Sequence, residues 1–173
     1  MRLVKASLEP PNRLLDAYRE VGASENGFFG QSEVVAGKIP VPEHLRMLVD
    51  MAEGRNLRPG QVPMTTYWLL DDADMLAGVS RLRHRLTEDL LSDGGHIGYY
   101  VRPAFRGRGH GHTLLRLTLE EAKRLGIERA LLTIADDNAP SIRVAERGGG
   151  VMEDERVDND GVPYHRYWID LGR

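Results

Sequence analysis

The sequence predicts an α/β domain in which a mixed, twisted sheet of six to seven strands is flanked by about four helices. Three observations carry that expectation. Between residues 95 and 134 a β-rich run, a glycine-punctuated turn, a long amphipathic stretch and a second β-rich run follow one another, which is the order of a βαβ unit. Residues 62–70 with 75–82, and 151–157 with 163–171, read as hairpins across Asp71-Asp72-Ala73-Asp74 and Asn159-Asp160-Gly161. Elsewhere apolar residues recur at helical spacing. A chain of 173 residues suits one core, so 1–173 reads as a single domain.

Composition narrows the function classes. Hydrophobic residues make up 41% and charged residues 28%, the balance of an ordinary soluble globular protein. A net charge of −3 supplies no basic field for nucleic acid. No apolar run approaches membrane-spanning length and residues 1–7 lack the apolar stretch of a signal peptide, so a cytoplasmic location with no membrane partner is expected. The cysteine count of 0 removes disulfides, thiolate metal sites and a cysteine nucleophile.

In chain order, residues 2–6 read as a first strand. Pro10-Pro11 opens a helix to about residue 21, with Leu14, Leu15 and Tyr18 on one side. Gly22, Gly27, Gly30, Gly37 and Pro40 break every pattern over 22–40, a loop of the length that binding loops and lids use. Phe28 and Phe29 sit in its middle. A helix over 42–53 buries Leu45, Leu48, Val49 and Ala52. Arg81, Arg83 and Arg85 alternate, so they share one strand face and read as a solvated, charged edge. A turn of helix is expected over 87–92, and Gly94-Gly95 frees the backbone before a central strand at 95–101. On that strand His96, Gly98 and Tyr100 share one face; Ile97, Tyr99 and Val101 share the other. The next helix, 109–125, carries Leu115, Leu119, Ala122 and Leu125 as its stripe, with Lys123, Arg124 and Gly126 suiting its end. Residues 127–134 return parallel to the central strand. Asn138 or Asp137 caps a last helix, which Pro140 begins and Gly148-Gly149-Gly150 closes.

The chemistry-bearing stretch is Arg106-Gly107-Arg108-Gly109-His110-Gly111, where a strand gives way to a helix. A helix start has unpaired N–H groups and the positive end of the dipole, and so binds phosphate. Glycines let an anion lie against the main chain, and flanking arginines add charge-assisted bonds; a plain tight turn with solvated arginines is the other reading. The dinucleotide fingerprint fails because His112 stands where its last glycine would be, and no Gly-Lys-Ser or Gly-Lys-Thr completes a Walker loop. His110 and His112, two apart, point to different sides of a helix, so no metal is expected there.

What remains, Arg106-x-x-Gly109-x-Gly111 preceded by Val101-x-Pro103, resembles the coenzyme A pyrophosphate loop of the GNAT superfamily of N-acetyltransferases. Downstream, Asn138-Ala139-Pro140-Ser141 and Glu146-Arg147-Gly148-Gly149 are similar to a second element of that family. The resemblance covers about residues 95–150. Gly94-Gly95-His96-Ile97-Gly98-Tyr99 and Arg166-Tyr167-Trp168-Ile169 also resemble a bacterial branch of predicted acetyltransferases.

The resemblance implies a GNAT-like sheet splayed between its two central parallel strands, and acetyl-CoA as cosubstrate with no metal. It implies carrier contacts from Tyr100, Val101, Arg106, Gly107, Arg108, Gly109, His110, Gly111, Asn138 and Ser141, with the Val101 amide polarising the acetyl carbonyl. The acceptor would be a primary amine of a small molecule or peptide, and a homodimer is compatible. Phe28, Phe29 and Tyr164 are candidates for the acceptor wall, and the basic alternation on 81–85 is an alternative patch for an acidic group on the acceptor. His96 is a candidate base and Ser141 a further candidate for catalysis. Relatives carry a tyrosine as general acid where this chain has Ala145. That departure leaves a second function open, a non-catalytic acyl-CoA-binding sensor.

Overall fold

The computed structural model describes residues 1–21 and 30–172. Phe28 and Phe29 lie outside the described residues. Seven strands are β1 Arg2–Lys5, β2 Met64–Leu70, β3 Leu76–Arg83, β4 Ile97–Val101, β5 Arg129–Ala135, β6 Val151–Val157 and β7 Pro163–Asp170. Among the described residues the longer helices are α1 Leu14–Val21, α3 Val41–Ala52, α5 His110–Arg124 and α6 Ala139–Arg147; α2 Gln31–Val35 and α4 Glu88–Ser92 are short.

The strands form two antiparallel sheets, in the order β1-β2-β3-β4 and β5-β7-β6. Helices α1 and α3 cover one face of the first sheet over Trp68, Leu70 and Val79. On the other side α5 and α6 enclose Leu82, Ile97, Leu115, Leu132 and Tyr167 in a core that spans both sheets. Strand β2 is buried on both faces along its whole length, which is why its sequence shows no alternation.

Three local expectations are revised. Pro10-Pro11 does not open α1. The chain stays extended, Asn12 bridges Met75, and Arg13 takes a φ of 69° before the helix begins at Leu14. Second, α2 interrupts the expected loop. Third, the basic alternation is no solvated edge. Arg81 pairs with Thr66 on one side and Gly98 on the other, so it stands in an interior strand. It is buried beside Tyr18, Gln31, His44 and Thr66 on the α1/α3 side, and burial pulls its guanidinium down to about 9. The Arg83 guanidinium donates to the Gly94 and Gly95 carbonyls at 2.8 and 2.7 Å, and of the three only Arg85 is exposed.

The two sheets meet at one point. His96 N donates to Leu131 O at 2.7 Å, and Leu131 N donates to His96 Nδ1 at 3.0 Å. Gly95 makes the approach possible. Its φ is +59°, and a Cβ there would lie 2.5 Å from Leu131 O. Beyond this junction β4 and β5 share no ladder, so the expected single sheet is divided where it was expected to splay.

Candidate active site

The segment joining β4 to α5 makes one 3₁₀ turn, Pro103–Phe105, and then rises through Gly107 and Gly109. Gly109 is the N-cap of α5 with φ 80° and ψ 2°, a left-handed conformation that a side chain would strain, and it has no side-chain cap. The first paired amide of the helix is Thr113 N, which donates to Gly109 O at 3.0 Å. Residues 106–109 form a tight turn, and among the described residues the main-chain N–H groups of 107–112 make no hydrogen bond of ordinary geometry. Such donors at the positive end of a 15-residue helix make a cradle suited to an anion.

The cradle opens into a cleft of about 660 Å³ between the end of β4 and the face of α6. Gly107, Gly109 and Gly111 line its mouth with Arg106 and His110. Asn138, Ser141 and Val144 line the α6 side, and Tyr99, Tyr100 and Val101 the β4 side. Arg143 and Arg147, one turn apart on α6, also face it, and no carboxylate does among the described residues. A polyanion therefore meets three guanidinium groups and no like charge.

The β4 side of the cleft is also one edge of the gap between the sheets. Arg102 N donates to Ala77 O, and His96 O accepts from Arg83 N, so the even residues of β4 exchange main-chain bonds with β3. Tyr99 and Val101 turn theirs the other way. Leu171 N donates to Glu128 O and Asp136 N to Pro163 O, so the even residues of β5 face β7, and Thr133 and Ala135 face the gap. The gap is thus edged by unladdered amides and carbonyls from two strands.

Side chains hold this frame. Arg106 Nε donates to Val101 O at 2.9 Å, with its guanidinium 5.3 Å from the centre of the Tyr100 ring. Asn138 caps α6, its Oδ1 accepting from Ser141 N at 3.2 Å, which leaves the amide NH₂ as a donor toward the cleft. Arg102 makes a fork to both Glu20 carboxylate oxygens at 2.8 and 2.7 Å and donates to Leu76 O at 3.1 Å, tying α1 to the start of the cradle.

Of the residues singled out in the sequence, Tyr100, Val101, Arg106, Gly107, Gly109, His110, Gly111, Asn138 and Ser141 come together around one cleft. Arg108 is exposed at the loop tip and is absent from the lining. His96 lies at the sheet junction. Its Nδ1 lone pair accepts from Leu131 N, so in the neutral ring the proton sits on Nε2 and neither nitrogen is left to accept one. Tyr164 is buried with its hydroxyl donating to Ser92 O at 2.9 Å, away from the lining. Sequence reasoning did not single out Tyr99, Arg143 or Arg147. The two arginines carried a legible signal, an i, i+4 pair on the helix that Asn138 caps.

A seven-stranded α/β fold with a glycine-rich helix start beside a cleft suits the class of acyl-group transferases. Residues 43–150 match the acetyltransferase (GNAT) family, and the chain belongs to that family. An L-methionine sulfoximine/L-methionine sulfone acetyltransferase of Salmonella typhimurium is 36% identical over 72 residues; the match spans 42% of this chain and 41% of that relative's length. An acetyltransferase of the GNAT family from Streptococcus pneumoniae superposes with a TM-score of 0.67 at 14% identity, covering 99% of both chains. YncA from Salmonella typhimurium, solved with its cofactor acetyl-CoA, superposes at 0.56 and 19% identity over 78% of this chain and 76% of its own.

Proposed function

We propose that the chain transfers an acetyl group from acetyl-CoA to a primary amine of a small molecule or peptide, directly, with both substrates bound together. The observation that supports this reading best is the glycine-rich helix start over 107–112, whose amides make no hydrogen bond of ordinary geometry and open into the cleft between β4 and α6. In this reading those amides hold the carrier's diphosphate, helped by Arg106, Arg143 and Arg147. The Asn138 amide and the edges of Tyr99, Val101, Thr133 and Ala135 position the arm. The Val101 N–H, turned into the gap, polarises the thioester carbonyl; removing one such donor costs about 10²–10³-fold in rate in other enzymes. Ser141 serves the arm, and His96 holds the sheets in place. A homodimer belongs to the same reading, through the outer strand β6, which exposes Val151, Met152 and Val157.

The test is calorimetry with coenzyme A, followed by thiol release from acetyl-CoA across a panel of amines. Gly109→Glu places a carboxylate in the cradle where a Cβ meets open space; the left-handed backbone costs about 1–2 kcal/mol, so circular dichroism checks the fold while binding is expected to be lost. Unchanged affinity would remove the cradle assignment. Binding without thiol release for any amine would favour the sensor, a reading kept open by the buried Ala145 methyl on α6.

A further inference from the structure

A thioester cannot be cleaved cleanly unless the departing sulfur is neutralised, and the described cleft offers few groups for that task. His110 and His112 stand at the anion cradle, and Arg106, Arg143 and Arg147 offer guanidinium groups suited to anions. Helix α6 presents Asn138, Pro140, Ser141 and Val144, and one turn beyond Ser141 only the fully buried methyl of Ala145. A serine hydroxyl is a far weaker acid than a phenol. Tyr100 also borders the cleft, but its ring lies on the other face of β4, against the Arg106 guanidinium near the anion cradle.

Tyr99 is different. Its side chain leaves β4 on the α5/α6 side, packs against the core that includes Ala145 and Val144, and lines the cleft. Its hydroxyl is shielded from water and has no hydrogen-bond partner. A buried phenol without a partner costs free energy, about 1–3 kcal/mol, and is expected where a ligand completes it. Ser141 lies near enough to favour the ionised phenol slightly, yet makes no hydrogen bond of ordinary geometry with it; burial is the larger effect and pushes the Tyr99 phenol up. It therefore keeps its proton at neutral pH.

We infer that Tyr99 is the catalytic residue that hydrogen-bonds the thioester sulfur and gives it a proton as it leaves. The inference rests on the carrier reading of the cleft. In the step, the amine nitrogen bonds to the acetyl carbon, and the carbon–sulfur bond breaks with its electron pair going to sulfur. Tyr99 passes its phenolic proton to that sulfur and is restored by the proton that the nitrogen sheds. Amine and acetyl thioester thus give amide and free thiol. The phenol comes from a strand, across the cleft from the helix that ends its face in an alanine.

The test compares coenzyme A with its desulfo analogue, in which hydrogen replaces the thiol, by calorimetry at pH 9. Wild-type protein is expected to bind coenzyme A about tenfold more tightly, the effect of one hydrogen bond to a charged sulfur. Tyr99→Phe brings that ratio to about one while affinity for the desulfo analogue, which reports an intact cleft, stays unchanged. A wild-type ratio near one, or a ratio that survives Tyr99→Phe, overturns the assignment. Failure of both ligands to bind the wild type overturns the carrier reading as well, so the two failures differ. A second measurement needs no variant: the bound thiol should ionise at lower pH than free coenzyme A, and no change or a rise counts against Tyr99. For an amine that the wild type acetylates, Tyr99→Phe lowers kcat by about 10²-fold and leaves KM for acetyl-CoA nearly unchanged; undiminished kcat also overturns the inference.

Discussion

His96 does with an imidazole what main-chain groups do elsewhere in a sheet. Its Nδ1 takes the amide proton of Leu131, a residue 35 positions away, so no local pattern could disclose the task. The cradle glycines are the opposite case. Gly107 and Gly109 take left-handed backbone angles, and the glycine spacing around them in the sequence already marks a turn. Two buried histidines carry a pH prediction. Burial pulls His44, whose Nε2 meets the Tyr18 hydroxyl at 2.9 Å, and His96, with Arg83 adding to the effect, from 6.5 down to about 4. Between these values the unfolded chain binds protons that the fold refuses. Their contribution is complete above about pH 6.5 and shrinks as pH falls toward 4, by up to about 1.4 kcal/mol per pH unit for each ring. Urea unfolding at pH 7 and pH 4.5 measures the loss, and equal stabilities would refute it.

Among elements, the long ones were legible because each is decided by its own periodicity. Helix α5, α3, and the hairpin of β6 and β7 across Gly161 fall close to where their residues place them; of the α5 stripe Leu115, Leu119 and Ala122 are buried, while Leu125 is exposed at the C-cap. The start of α1 was not legible, since the bridge from Asn12 to Met75 outcompetes the prolines. Nor was the link from α1 to the cradle. The Arg102 hydrogen bonds hold the Glu20 carboxyl below its usual range, so this contribution stands at neutral pH and is lost on acidification. Arg102→Ala strips the fork from Glu20 and one bond from Leu76 O, and is expected to cost about 1–3 kcal/mol in urea unfolding. Arg102→Lys should recover little of it, because an ammonium cannot reproduce the two-pronged contact.

For the whole molecule, the count of strands and the place of the splay were readable, while the division into two sheets was not. It depends on how closely Gly95 lets two distant segments approach, and a glycine in sequence does not announce its neighbour. Gly95→Ala sets a methyl against Leu131 O in a left-handed conformation. It should cost about 2–4 kcal/mol, seen as a lower midpoint in denaturant, and a variant as stable as the wild type would show that the contact is dispensable. The one-point union has a further consequence for solvent hydrogen. Ladder amides usually exchange slowly, yet here the N–H groups of Val101 and Thr133, both half-buried, face the gap with no ladder carbonyl to lock them. In deuterated water they should label well before their ladder neighbours Tyr100 and Leu132, and a bound carrier should slow them, so two strand amides would time the filling of the gap.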